Sequence, residues 1–251
     1  MVLEGFYMLI TSLENNNIKK YLKLKQKKYR DEEKMFLIEG EHLVREAYKS
    51  NRLYDLLVLD GYDFKIDFSY TNASLNIMKK LSDMDSTPKV IGIVKIEDKK
   101  TNLGNRIIIL DGIQDPGNLG TIIRSSVAFN ITDIILSDTS VDLYNDKVIR
   151  ASQGMIFKIN IERRNLVEVI NKLKKQDYVI LGTNVKEGID VRDINVKKYA
   201  IVLGNEGQGV SFEVANLCDK NIYIKMNKEV ESLNVGVATS IIIYELNGGL
   251  K

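Results

Sequence analysis

The chain has 251 residues, room for one large domain or two modest ones, and its 44% hydrophobic content is enough for a true core. Its 36 basic and 34 acidic side chains nearly cancel, so only local charge is informative about partners. A single cysteine, Cys218, excludes an intramolecular disulfide, and a single histidine, His42, leaves no material for a His/Cys metal centre.

The N-terminal stretch MVLEGFYMLITSLENNN has no basic segment ahead of its short apolar run from Phe6 to Ile10. Nothing in the chain approaches the roughly 18 apolar residues of a membrane span, so a soluble, cytoplasmic protein is expected. Residues 19–30, KKYLKLKQKKYR, carry seven basic side chains in twelve positions and predict a basic helix with Tyr21 and Tyr29 interleaved. Lys19, Lys20, Lys23, Lys27, Lys28 and Arg30 read equally as a solvated face and as a surface that follows phosphates. Strands are expected at 35–40, 53–59 and 89–96 and helices at 41–50 and 74–84, an α/β pattern closed by a polar linker at 99–105.

Beyond it the strands are stronger: RIIIL, DIILS, IFKINI, YVILG, YAIVLG and NIYIKM. Continuous apolar runs of this kind suit a parallel sheet covered on both faces. A final helix at about 232–247 is apolar almost all round, which predicts burial in the core or against a second subunit.

Three loops that follow strands carry the chemistry-bearing residues. In IIILDGIQDPGNLGTIIRSSVAF, Asn118 is read as the N-cap of a helix whose buried stripe is Leu119, Ile122, Ile123 and Val127, with Arg124 off the stripe. In YAIVLGNEGQGVS, Gly204, Gly207 and Gly209 allow main chain to approach a ligand closely, but the spacing is not a dinucleotide fingerprint. In NIYIKMNKEVESLNVGVATS, Ser232 is read as a second N-cap, leaving the amide of Asn234 free. Each loop alone is also compatible with a capped helix or tight turn that binds nothing.

Taken in order, the three loops resemble the motifs of the SpoU/TrmH family of RNA 2′-O-ribose methyltransferases. The matching residues are Asn118, Gly120 and Arg124; Leu203 to Gly209; and Ile224, Met226 and Ser232 to Val235. YRDEEKMFLIEGEHLVREA, residues 29–47, resembles the family's N-terminal substrate-binding domain, itself similar to ribosomal RNA-binding proteins. Lys225 and Gly236 depart from the family's usual proline and serine.

The resemblance implies an α/β fold: a smaller RNA-binding domain at 1–98, and a parallel-sheet domain with a deep trefoil knot at 106–251. It implies S-adenosylmethionine as cofactor, held by Gly204, Ile224 and Leu233 through main chain, with Thr183, Asn205, Gly207 and Met226 beside them. It also implies a homodimer, no metal, and an RNA substrate, rRNA favoured over tRNA. Arg124 is expected to grip a phosphate beside the target ribose, with Asn118 and Glu206 holding Arg124 and with Ser232 and Asn234 orienting the 2′-hydroxyl. A non-catalytic RNA-binding protein of the same fold and a nucleotide-dependent oxidoreductase are the alternatives, the latter disfavoured by the glycine spacing.

Overall fold

Residues 9–97, 102–185 and 187–247 are described in this computed structural model, which divides between residues 98 and 99 into two units. Phe6 to Met8 of the N-terminal apolar run and 99–101 of the expected linker lie outside the described residues.

The N-terminal unit runs β1 Leu9–Ile10, α1 Asn16–Lys23, α2 Lys27–Glu33, β2 Met35–Glu39, α3 Glu41–Lys49, β3 Leu53–Leu59, β4 Thr71–Ala73, α4 Leu75–Leu81 and β5 Val90–Lys95. Its sheet has the order β1-β4-β3-β5-β2, with β5 antiparallel to both neighbours. The expected three strands are present, and two short ones, β1 and β4, extend the edge. Leu57, Ile91 and Ile93 point to one face, where they pack with Ile18, Tyr21, Leu24, Ile77 and Met78 of the helical layer.

The basic run is two helices rather than one. Asn15 caps α1, its side chain accepting from the N–H groups of Asn17 and Ile18. The first helix ends because Leu24 turns into the core and Arg30 reaches back, its guanidinium donating to the carbonyls of Leu24 and Lys25 at 2.8 and 2.9 Å. Those oxygens would otherwise be unsatisfied at a helix end.

The C-terminal unit runs β6 Arg106–Asp111, α5 Pro116–Ala128, β7 Asp133–Leu136, α6 Asp146–Ser152, β8 Asn160–Arg163, α7 Leu166–Lys174, β9 Val179–Thr183, β10 Ile189–Asp190, β11 Tyr199–Gly204, α8 Phe212–Ala215, β12 Lys220–Tyr223 and α9 Val235–Leu246. Its seven-stranded sheet, β10-β12-β9-β11-β6-β7-β8, is parallel at every pairing. Ile107 to Leu110 and Tyr199 to Leu203 are buried on both faces, as continuous apolar runs require. The expected strand IFKINI is displaced: 155–157 forms a single 3₁₀ turn, and the strand starts at Asn160. Leu103 packs into the core beneath this sheet, and Gly104 is tied on both sides, its N–H to Asp133 and its carbonyl to the Tyr178 hydroxyl, each at 2.8 Å.

Two caps differ from expectation. Helix α5 starts earlier, at Pro116, and its cap is Asp115, whose carboxylate accepts from the N–H of Asn118 at 2.7 Å. Proline at the first helical position loses no hydrogen bond, which favours this start. Helix α9 is capped by Asn234 rather than Ser232, the amide oxygen accepting from Gly236 and Val237. Within one chain α9 is covered on one face only: Gly236, Thr239, Ile242 and Ile243 are buried, while Val237 and Tyr244 are 46% and 49% exposed.

Candidate active site

Strands β6, β7 and β8 step outward in one direction, and the chain then returns across the sheet to β9, leaving the slot that β11 fills. Parallel sheets bind ligands at such a reversal, outside the carboxyl ends of the strands. Register puts the relevant loops side by side, since Gly204 at the end of β11 pairs with Asp111 at the end of β6, and Thr183 of β9 pairs with Ile222 of β12.

A cavity of about 570 Å³ opens there, within the usual range for small-molecule sites. All seven residues expected at the cofactor, Thr183, Gly204, Asn205, Gly207, Ile224, Met226 and Leu233, line it, together with Glu206, Ser232 and Asn234. Gly204 is a site of close main-chain approach: a Cβ there would fall 2.0 Å from the Gly209 carbonyl carbon and 2.1 Å from the Val210 nitrogen. The loop closes on itself through paired bonds between Asn205 and Gly209, each 2.9 Å, with Gly209 at φ +73°.

Asn205 is a builder of this loop. Its amide oxygen accepts from Gly207 and Gln208, and its NH₂ donates to the carbonyl of Gly112 at 2.8 Å, which fastens the β11 loop to the β6 loop. The Thr183 hydroxyl is likewise spent on the carbonyl of Val202 at 2.9 Å. Both side chains shape the cavity through the backbone they hold.

Glu206, Asn118 and Asn234 form one hydrogen-bonded chain. Asn234 donates through Nδ2 to Oδ1 of Asn118 at 2.8 Å, and Asn118 donates through Nδ2 to Oε1 of Glu206 at 3.0 Å. The Glu206 carboxylate also accepts longer bonds, 3.4 Å each, from the backbone of Gln114 and Asp115. Burial raises the pKa of this carboxyl, but the bonds from Asn118 and from backbone N–H groups outweigh it and leave the group below its ordinary value.

This chain overturns two expectations. Asn118 and Glu206 hold each other, not Arg124, and the amide of Asn234 is engaged on both sides rather than free. Arg124 is exposed on α5, outside the cavity lining. Its neighbours on that helix tie down α9, as the hydroxyls of Ser125 and Ser240 lie 2.7 Å apart and Thr121 packs beside Gly236.

In the N-terminal unit, Lys19, Lys23, Lys27 and Lys28 are exposed on α1 and α2. Lys20 pairs with Glu33 at 2.7 Å, and Lys19 with Glu14. Arg30 departs from the expected surface role: it is buried at 8% exposure, bonded to the turn beneath. Two residues with clear roles were not among those expected. Asp115 caps α5, a role its position just before a proline signals. Gln114 braces the β6 loop, its side-chain NH₂ donating to Thr139 at 2.7 Å, and nothing local marks it. Among the described residues no cluster of three His, Cys, Asp or Glu side chains is arranged to hold a metal, and no helix is long and apolar enough to cross a membrane.

Known proteins resemble this chain along most of its length. Residues 105–244 match the SpoU rRNA Methylase family, and residues 15–92 match the MRM3-like substrate binding domain. The chain is 33% identical over 245 residues to the 23S rRNA (guanosine(2553)-2′-O)-methyltransferase RlmP of Bacillus subtilis, covering 95% of this chain and 99% of that protein. An AdoMet-bound rRNA methyltransferase from Sinorhizobium meliloti superposes with a TM-score of 0.83 at 27% identity, over 97% of this chain and 98% of that one. A TrmH/SpoU tRNA modifying enzyme from A. aeolicus, 29% identical, covers only 58% of this chain and 75% of its own length, with a TM-score of 0.51. The chain belongs to the SpoU rRNA methylase family.

Proposed function

We propose that this protein transfers a methyl group from S-adenosylmethionine to a ribose 2′-hydroxyl in 23S rRNA. The supporting observation is the Glu206–Asn118–Asn234 chain, which ties three separate loops together beside the cavity. The likeness to RlmP along nearly the whole chain favours rRNA over tRNA.

The residues present fit this cofactor. The close approach at Gly204 admits main-chain contact, and Ile224, Met226, Leu233, Val235 and Ala238 supply an apolar lining for a purine. Gly204, Ile224 and Leu233 would hold the adenosine end through backbone groups, with Gly207 leaving room and Thr183 and Asn205 keeping the walls in place. When bound, the cofactor supplies a sulfonium methyl group. The chain's own part is positioning, which in well-oriented systems is worth up to about 7–11 kcal/mol.

Arg124 grips the phosphate next to the target ribose, and its fixed positive charge makes the 2′-hydroxyl easier to deprotonate. Ser232, exposed at the cavity rim with no capping duty, is the residue left to touch the hydroxyl. Asn118, Glu206 and Asn234 set the geometry behind it. The fold carries the threaded C-terminal knot of its family, the enzyme works in the cytoplasm as a homodimer without a metal, and Lys19, Lys20, Lys23, Lys27 and Lys28 hold RNA.

The test is methyl transfer to rRNA from cells lacking the protein, followed by mapping of 2′-O-methyl positions. One site is expected to regain its methyl group, and none would be regained if the protein only binds RNA. Arg124→Lys is expected to lose at least about 100-fold in turnover, because a point charge does not replace the two-pronged guanidinium. Near-normal turnover of that variant rejects the clamp.

A further inference from the structure

We propose that Tyr29, flanked by Lys23 and Lys28, is a stacking point for an unpaired base, so that the N-terminal unit holds single-stranded or looped RNA rather than duplex. The proposal rests on the reading of this unit as an RNA holder and names the form of RNA it takes.

The ammonium groups of Lys23 and Lys28 lie 5.5 and 5.7 Å from the centre of the Tyr29 ring. Lys23 ends α1 and Lys28 lies in the first turn of α2, so the ring sits at the corner between the two helices with a cation from each. That corner is held rigidly from below. Buried Arg30 bonds the carbonyls of Leu24 and Lys25, and Lys25 is turned away from the others, pairing with Asp83 at 2.7 Å and donating to the Ser82 carbonyl at 3.2 Å. Lys23 and Lys27 point to solvent around a partly exposed ring, and Lys28, exposed as well, lies 3.9 Å from the Glu32 carboxylate in a solvent-screened pair.

A duplex needs only a basic surface, because its base faces are already stacked. An aromatic ring ringed by lysines is the arrangement that single strands use, bases stacking on the ring while cations meet the adjoining phosphates. An exposed lysine on an aromatic face contributes no more than about a fivefold factor in an equilibrium. A base stacked on the same face contributes roughly 5- to 100-fold. The base therefore displaces the lysine, and the displaced ammonium becomes a phosphate ligand.

The test uses the full chain and a fluorescently labelled mixed-sequence RNA 12-mer, single-stranded or annealed to its complement. Tyr29→Phe is expected to bind the single strand like the wild type. Tyr29→Ala should bind it roughly 5- to 100-fold more weakly, with its salt dependence unchanged and its duplex binding unaffected. Lys23→Ala and Lys28→Ala should weaken binding to both and lower the slope of affinity against salt by about one each. Photocrosslinking of a 4-thiouridine-substituted 12-mer should mark Tyr29. If the lysine variants behave so while Tyr29→Ala has no effect, the stacking point is wrong and the RNA-holding unit stands. If neither lysines nor tyrosine matter, both fail. Equal losses on duplex and single strand with Tyr29→Ala also overturn the proposal.

Discussion

Asn118 has one amide and two partners of opposite demand: its oxygen faces the Asn234 NH₂, and its nitrogen faces the Glu206 carboxylate. Aspartate at this position keeps the shape, accepts from Asn234 and sets two carboxylates against each other about where the 3.0 Å bond now lies. Asn118→Asp is therefore expected to lose about 100-fold or more in kcat/KM near neutral pH and to recover part of it as one of the two acids takes up a proton. In the wild type Glu206 has a depressed pKa, so its stabilising contribution is fully present above the ordinary carboxylate range and is lost only as pH falls below it. The ratio of variant to wild-type rate should rise between about pH 7.5 and about pH 5.5. A constant ratio would mean that Asn118 does not work through Glu206. At Gly236 a Cβ would lie 3.1 Å from the Thr121 methyl group, so glycine here lets α5 and α9 approach closely.

Helix α5 carries Arg124, and two features fix where the helix lies. Its cap is Asp115, and its contact with α6 is made at Gly120, where a Cβ would fall 2.3 Å from that of Ala151 and 3.0 Å from backbone. Gly120→Ala is thus expected to cost about 1–3 kcal/mol by overpacking, read as a lower urea midpoint with little change in slope. An unchanged midpoint would show that α5 can shift freely. The elements were largely legible in the chain. β6 and β11 are continuous apolar runs that only a doubly covered sheet accommodates, and β3 and β5 are bounded by polar segments. What misled was local ambiguity. Asn118 and Ser232 are good capping residue types, but Asp115 precedes a proline and Asn234 precedes Val-Gly-Val, and those neighbours decide the start. Arg30 looked like one more surface cation because its use, the carbonyls of Leu24 and Lys25, exists only after the helix has broken.

For the whole molecule, the two units are expected to melt as separate transitions, and the lining of the cavity belongs to the C-terminal one. S-adenosylmethionine at about 100 times its dissociation constant should stabilise the C-terminal unit by about 2.7 kcal/mol and leave the other transition in place. Gly204→Ala, whose methyl group would collide with Gly209 and Val210, should abolish that shift. A shift in both transitions, or in neither, argues against this cavity as the cofactor site. Six of the seven expected cofactor residues are legible from the motifs and Thr183 from the end of its strand. The hydrogen-bonded chain behind the cavity is not, because its bonds join residues 88 and 116 positions apart and depend on which way an amide faces.

That separation also bears on how the protein is made. Every strand of the larger sheet lies before residue 224, whereas Asn234 comes eleven positions after β12 ends at Tyr223. A nascent polypeptide stalled at residue 230 would carry the complete set of strands yet lack Ser232, Asn234 and the helix they introduce. The sheet alone therefore leaves one wall of the cavity unbuilt, and that wall closes only when the segment after β12 folds back onto the loops of β6 and β11.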